Sequence, residues 1–533
     1  MIPIQKFKDI VGDAFVFTDE STMKRYARVT LPKSTTPAAV LKPSNSSEVT
    51  DIIKTAKEYH VGIYPVSRGC NWGYGSACAV GDGQVILDLS RMNRIIHVDE
   101  TLAYAVIEPG VTQIQLVSYL KENNLSLWLD CSGSGPDASV LGNTLERGFG
   151  HTPYGDHFLH TCGMEVILGD GRTLKTGYGH YDNAQATHVF KYGIGPYMDG
   201  LFTQSNFGVV TRVGIWLMPA PECLNMFYCS VPRDRDLAAV VDVLRPLKLS
   251  GQIRSLIHIG NDLRVFSSFN QYPWEKAGNK TPLSDDLRQL LCKKGKFGAW
   301  NVSGAIYGTR AQVRMTRKEL KKVLKPLGQI RFIGDRTLGL VNRLAGVFDR
   351  FSLFPDLKTR FQTLNKVYGL LKGEPTDAFL FGTLWRVKRS VNPESVANPL
   401  DFNAGMMWIA PIMPMTGEAA QRLIQLVNPV FEQYGFEPLV TVSLITERAM
   451  VSVITISYDR DDQNECKRAQ ECYDAFFSLI MSQGYAPYRT NIHTMKKLAE
   501  GSQTFWEITK EIKSVLDPEG IIAPGRYQPF DKV

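Results

Sequence analysis

Residues 66–77 read VSRGCNWGYGSA, and three glycines, Gly69, Gly73 and Gly75, crowd this turn between the apolar runs 61–66 and 85–89. Glycine accepts positive φ and lets a second group approach the backbone closely. Successive N–H groups in such a turn form a nest for an anion; the plainer reading is a tight strand connection. The preceding stretch, VLKPSNSSEVTDIIKTAKEYHVGIYPV at 40–66, gives the turn its context. Ser47 followed by Glu48 offers a helix N-cap, and Val49, Ile52, Ile53 and Ala56 recur at helical spacing before the strand 61–66. The unit is strand–helix–strand with its glycine loop after the second strand. A nicotinamide-binding Rossmann unit puts that loop after the first strand, where it opens the helix. The order here argues against that fold.

Downstream, strands at 85–89, 95–98 and 103–108 are joined by short turns, and Thr112 caps a helix running to about residue 122. A second loop dense in Gly, Ser and Asp follows, within LWLDCSGSGPDASVLGNTLERGFG at 127–150. Two such loops, if folding brings them together, can clasp a long diphosphate ligand from both sides. Residues 164–168 and 173–176 flank Gly169-Asp170-Gly171, a hairpin signal, and 209–217 reads as a further strand. Pro219, Pro221 and Cys223 mark a change of character, which places a boundary near 220. Beyond it come amphipathic helices at 237–244, 312–324 and 417–433 and strands at 227–231, 408–411 and 451–457, a mixture that predicts an α+β unit.

With 533 residues the chain is too long for one core and is expected to form two to four domains. A net charge of +7 without a long Lys/Arg run argues against a nucleic-acid surface. No apolar run is long enough to span a bilayer, and the N-terminus lacks the apolar core of a signal peptide. Nine scattered cysteines suit a reducing compartment better than a disulfide framework, so a cytoplasmic location is expected.

The motifs PVSRGCNWGYGSA, AVIEPGVT, SVLGNTLERGFGHTPYGDHF, GMEVIL, DGLFTQSNFGVVT and IIAPGRY together resemble the vanillyl-alcohol oxidase/p-cresol methylhydroxylase family of FAD enzymes. The resemblance covers most of 40–220 and the C-terminal tail, and is weaker through 225–400. It implies an α+β protein: a two-subdomain FAD-binding domain of the p-cresol methylhydroxylase type over 1–220, to which 500–533 returns, and an α+β substrate (cap) domain over 221–499. On the matching motifs it assigns cofactor contacts to Pro65, Ser67, Arg68, Gly69, Cys70, Asn71, Gly73, Tyr74 and Gly75 in the first loop. In the second loop and beyond it assigns them to Ser134, Gly135, Ser139, Val140, Gly142, Asn143, Gly148, Gly150, Tyr154 and Gly155, then to Gly208, Val209, Val210 and Arg526.

The resemblance also implies the chemistry. Tyr74, with the pair Tyr488-Arg489 in GYAPYRTN, would hold the oxygen of a para-substituted phenol as phenolate. A permanently charged guanidinium and two phenolic O–H groups suit that anion. Hydride would then leave the benzylic carbon for flavin N5, giving a quinone methide open to water addition or desaturation. Asp137 in SGSGPDAS, or its competitor Ser134, would sit beside N5. The late segment TERAMVSVITI contains no His, and YGFEPLV has Pro438 where a flavin-bearing Tyr motif differs, so FAD is expected to be non-covalent, with a thioether through Cys131 or Cys70 as the lesser alternative. HFLHTC, with His157, His160 and Cys162, lacks the spacing and second ligand pair of a zinc site, and no metal is expected. The expected electron acceptor is oxygen, a c-type cytochrome or a copper protein, and relatives imply a homodimer. Rival readings keep FAD with a non-phenolic substrate, or make the chain a non-catalytic subunit that binds a cytochrome.

Overall fold

The computed structural model describes residues 2–339, 343, 355–498 and 503–528. The first glycine loop leaves a four-stranded sheet ordered Val16–Phe17, Ala39–Leu41, Val85–Asp88, Ile63–Val66. The strands on either side of Val85–Asp88 run parallel to it, which requires a crossover, and the helix Ser46–Glu58 supplies one. Val49, Ile52, Ile53 and Ala56 are its buried stripe. The cap differs from the sequence expectation: Asn45, not Ser47, accepts from Glu48 N at 3.0 Å. The Glu48 carboxylate reaches back to Ser44 N at 2.7 Å. An N-cap oxygen reaches the backbone N–H two or three residues on, and Asn45 has that spacing to Glu48 where Ser47 is its immediate neighbour.

The C-terminal segment closes on this sheet. Ile63 N donates to Ile521 O at 2.8 Å and Ala523 N donates to Ile63 O at 2.7 Å, so the strand before the glycine loop is held from both sides. A second sheet, antiparallel and five-stranded, is ordered Ile95–Asp99, Tyr104–Ile107, Val209–Trp216, Thr161–Ile167, Thr173–Lys175. It includes the hairpin read from Gly169-Asp170-Gly171. The second small-residue loop runs into the short helix Val140–Leu145, whose N-cap Ser139 accepts from Gly142 N at 2.8 Å.

From Cys223 onward the chain builds an eight-stranded sheet in which every pair is antiparallel. Across it lie Gln329–Gly334, Cys223–Val231, Trp300–Gly308, Ile257–Asn261, Leu439–Leu444, Ala449–Asp459 and Ala404–Ile409, with Ile412–Pro414 also paired to Ala449–Asp459. Alternate side chains face opposite sides of a sheet. Phe227, Cys229, Ile257, Ile259, Val440, Val442, Ile454, Ile456, Met407 and Ile409 enter a core shared with the helices Leu237–Leu249, Gly417–Gln433 and Gln463–Ser482. The residues between them, among them Met226, Tyr228, His258, Thr441, Ser443, Thr455 and Trp408, line a cavity on the other face.

Candidate active site

Two cavities meet at the glycine loops. The smaller, about 160 Å³, is bounded by Pro65, Ser67, Arg68, Gly69, Cys70 and Asn71 on one side and by Ser134, Ser139, Gly142 and Asn143 on the other. Gly208, Val209, Val210 and Arg526 complete it. Folding therefore does bring the two loops together. Trp72 Nε1 donates to Ser134 O at 3.2 Å, tying one to the other directly. Among the described residues the backbone N–H groups of 68–71 have no protein acceptor, and the Ser76 hydroxyl lining the cavity is buried without a partner. A cleft of unpaired donors, with Arg526 at its wall, suits a diphosphate-bearing cofactor such as FAD.

The larger cavity, about 390 Å³, lies between these loops and the eight-stranded sheet. Tyr74, Tyr488 and Arg489 converge in its wall. Arg489 Cζ stands 3.6 Å from the Tyr74 ring centroid and 5.7 Å from that of Tyr488. Each is fixed through its backbone. Gly75 has φ +145° and a Cβ there would come 2.7 Å from Ile492 Cγ2, so the loop and the segment after Arg489 pack without room for a side chain. Ile492 N donates to Tyr74 O at 3.0 Å, and Tyr488 O accepts from Gln204 Nε2 at 2.9 Å. Trp408, from the edge strand Ala404–Ile409, meets Tyr74 edge-on at 5.4 Å.

The electrostatics of this corner are those of an anion site. Arg489 pairs with Glu146 at 3.7 Å, and Glu146 also pairs closely with Arg526. Burial opposes the Glu146 charge, but Arg526 and then Arg489 outweigh it and hold the carboxyl below its usual range. Burial likewise opposes the Arg489 cation, yet Tyr488, Tyr74 and Glu146 beside it keep it protonated more firmly than a free arginine. Burial pushes the Tyr488 phenol well up, so it stays a donor. The Tyr74 hydroxyl and Arg489 Nε are both buried without a hydrogen-bond partner among the described residues. Buried donors are nearly always paired in native proteins, and one oxygen anion in the cavity would serve both.

Several assigned residues stand elsewhere. Asp137 is exposed and lines neither cavity, whereas Ser134 lines both. Cys131 is buried outside both cavities, its thiol 3.4 Å from Gly373 O; Cys70 lines the smaller one, its thiol pushed up to about 12 by burial. Gly73, Gly75, Gly135 and Gly155 line neither cavity, and Val140 and Tyr154 line a separate small cleft. Gly148 and Gly150 line the larger cavity. Gly150 also has a packing reason: a Cβ would fall 1.4 Å from Asp130 Oδ1. His157 bridges Asn143 Oδ1 at 2.6 Å and Asp130 Oδ1 at 2.7 Å, which makes it a brace for the second loop. Among the described residues no cluster of His, Cys, Asp and Glu is arranged to hold a metal. Sequence reading did not single out Glu146, Trp408, His151, His258 or Arg264. Glu146 was visible within LERGFG, but its two arginines are hundreds of residues away.

The FAD binding domain family matches residues 37–177. Over 98% of its length the chain is 37% identical to 1'-carboxy-chondrochloren decarboxylase of Chondromyces crocatus, covering 96% of that protein. It is 33% identical, again over 98%, to the 4-cresol dehydrogenase [hydroxylating] flavoprotein subunit of Pseudomonas putida, covering 94% of that protein. The solved 4-ethylphenol oxidase from Gulosibacter chungangensis, in its isoeugenol complex, superposes with a TM-score of 0.89 at 27% identity, over 99% of this chain and 97% of that one. Fold and site define an FAD-dependent oxidoreductase with a PCMH-type cofactor domain. End-to-end similarity goes further: the chain belongs to the vanillyl-alcohol oxidase/p-cresol methylhydroxylase family. Among the described residues no helix is long and apolar enough to cross a membrane.

Proposed function

We propose that the protein oxidises a para-substituted phenol at its benzylic carbon. The observation that carries this reading is the convergence of Tyr74, Tyr488 and Arg489, with two buried unpaired donors, on one cavity wall. Bound FAD supplies the acceptor for a hydride. The loops 65–71 and 134–143, with Gly208, Val209, Val210 and Arg526, would hold it without a covalent link. Arg489 favours the ionised phenol, and the Tyr74 and Tyr488 hydroxyls donate to the same oxygen. The phenolate electrons then push toward the para position as hydride departs, leaving a quinone methide. Trp408 and the apolar wall orient the ring, and the alternate face of the sheet sets the space for the substituent. Water addition would give an alcohol and proton loss an alkene.

The acid-carrying name of the Chondromyces crocatus relative supports a second outcome on the same intermediate. A carboxylate on the carbon next to the quinone methide can leave as carbon dioxide, its bonding pair restoring the aromatic phenolate. We assign the acceptor of the second half-reaction to oxygen or to a small redox protein, and the assembly to a homodimer. Anaerobic mixing with a panel of 4-alkylphenols and 4-hydroxybenzyl alcohols tests the proposal. Bleaching of the flavin band by phenols, with Arg489→Gln abolishing it, is expected. Bleaching by non-phenolic alcohols or acids alone would replace it, and headspace carbon dioxide separates the two outcomes.

A further inference from the structure

Among the described residues lining the larger cavity there is no carboxylate and there are two cations, Arg489 and Arg264. They differ in company. Arg489 has Glu146 at 3.7 Å. Arg264 sits in the short helix Asp262–Ser267, directly after the strand Ile257–Asn261, and its Nη1 donates to the neutral Ser268 Oγ at 2.9 Å. The acid closest in sequence, Asp262, is already held on two oxygens by Arg288, Nε and Nη2 each at 2.7 Å. No described residue forms an ion pair with Arg264. Burial lowers the Arg264 pKa with no anion among the described residues to oppose it, whereas Arg489 is held up by its neighbours. The histidine on the preceding strand adds no charge: burial, with the ring of His151 4.8 Å away, lowers His258 to about 3. Room is kept at the guanidinium, since a Cβ on Gly382 would stand 3.3 Å from Arg264 Nη1.

The two cations stand beside different strands: Arg489 packs on Tyr74, next to Trp408, and Arg264 follows Ile257–Asn261. Trp408, which packs on Tyr74, is on the edge strand, and Ile257–Asn261 lies three strands further across the sheet. At the usual strand spacing the two strands are roughly 14 Å apart. A single small phenol anchored at Arg489 leaves the other pole unmatched. An uncompensated cation in a partly desolvated site is costly, and a guanidinium matches a carboxylate on two N–H groups.

We propose that Arg264 anchors a carboxylate at the far end of the para substituent, so that the substrate class is acid-terminated 4-hydroxyphenyl compounds rather than simple alkylphenols. This rests on the phenol reading above. An acid paired in this way is retained, because a guanidinium contact stabilises the carboxylate against loss; it is distinct from any carboxylate adjacent to the reacting carbon.

The test uses the FAD-loaded full chain and a ligand series in which a 4-hydroxyphenyl group carries one to five methylenes ending in carboxylate or in carboxamide. Binding is followed anaerobically by perturbation of the flavin spectrum, and reduction by its bleaching. In the wild-type protein the longer carboxylates should bind at least about tenfold more tightly than their amides, the ratio growing with chain length. Arg264→Gln should collapse that ratio to about one and Arg264→Lys should keep part of it. A wild-type ratio of one or below at every length overturns the proposal without need of a variant. Equal weakening of acid and amide by Arg264→Gln, with the ratio kept, also overturns it, by assigning Arg264 a structural role. Failure of every phenol to bleach the flavin would sink the phenol reading instead, and the acid-to-amide ratio would still report on Arg264.

Discussion

The cleft proposed for the cofactor and the cavity proposed for the substrate are built in opposite ways. The cleft is made of backbone: glycine turns, free N–H groups and the first turn of a short helix. One wall of the cavity is made of side chains that alternate along the strands of a large antiparallel sheet. A backbone site restricts which residues can stand at fixed places, so it leaves a motif. A side-chain site needs only period-two alternation, and its chemistry can change at one position without disturbing the core behind it. Glu146, in the wall of the cleft, pairs there with Arg526 and with Arg489, which lines both cavities and joins them.

That contrast can be broken at either end. The largest effect is expected at Arg489: replacement by Met should lower kcat/KM for a phenol roughly 10³-fold, as loss of a donor to a developing charge does, while FAD content stays unchanged. FAD loss on the same scale would show the two sites are not separable. Glu146→Gln should strike both, because it leaves two buried guanidinium groups without their carboxylate. A loss of about 3 kcal/mol in denaturant unfolding, with weaker FAD retention, is expected.

Asp130 sharpens the picture of the second loop. Burial alone would raise its carboxyl, but the hydrogen bond from His157, with the backbone N–H of Thr152 and the nearby His151, holds it at about 2. Its folded value lies below the unfolded value of about 4, so it contributes stability above pH 4 that is lost as pH falls toward 2. The contribution is roughly 2 kcal/mol, and Asp130→Asn should flatten the acid limb of a stability–pH curve. The smallest effect is expected at Gly75. Alanine there meets Ile492 and a positive φ, costing about 1–2 kcal/mol and shifting the Tyr74 loop enough to raise KM.

The same contrast explains what was legible in the sequence. The loops 66–77 and 132–143, the crossover helix with its buried stripe, the hairpin at 169–171 and the returning tail all carry local signals, and each was readable. The helix cap was displaced from Ser47 to Asn45 because both residues cap well and only the reach of Glu48 decides between them. Tyr74, Tyr488 and Arg489 were reached through the motifs around them. Asp137 was not placed by its motif: the loop turns it outward and leaves Ser134 facing both cavities. His258 had no signal, since a polar residue at an alternating position reads as the solvent side of a strand, and Arg264 had none, since a charged residue in a one-turn helix reads as surface. Only the second layer of loops and the helix Pro355–Leu370 over that face turn it into a cavity.

The central claim is that the corner of Tyr74, Tyr488 and Arg489 binds a phenol as its anion. A chromogenic para-substituted phenol, bound to the FAD-loaded protein and titrated by its own absorbance, measures this directly. The account predicts that its bound pKa falls by about two units relative to water, and that Arg489→Met returns it to the solution value. A bound phenol that titrates as it does in water would contradict the account.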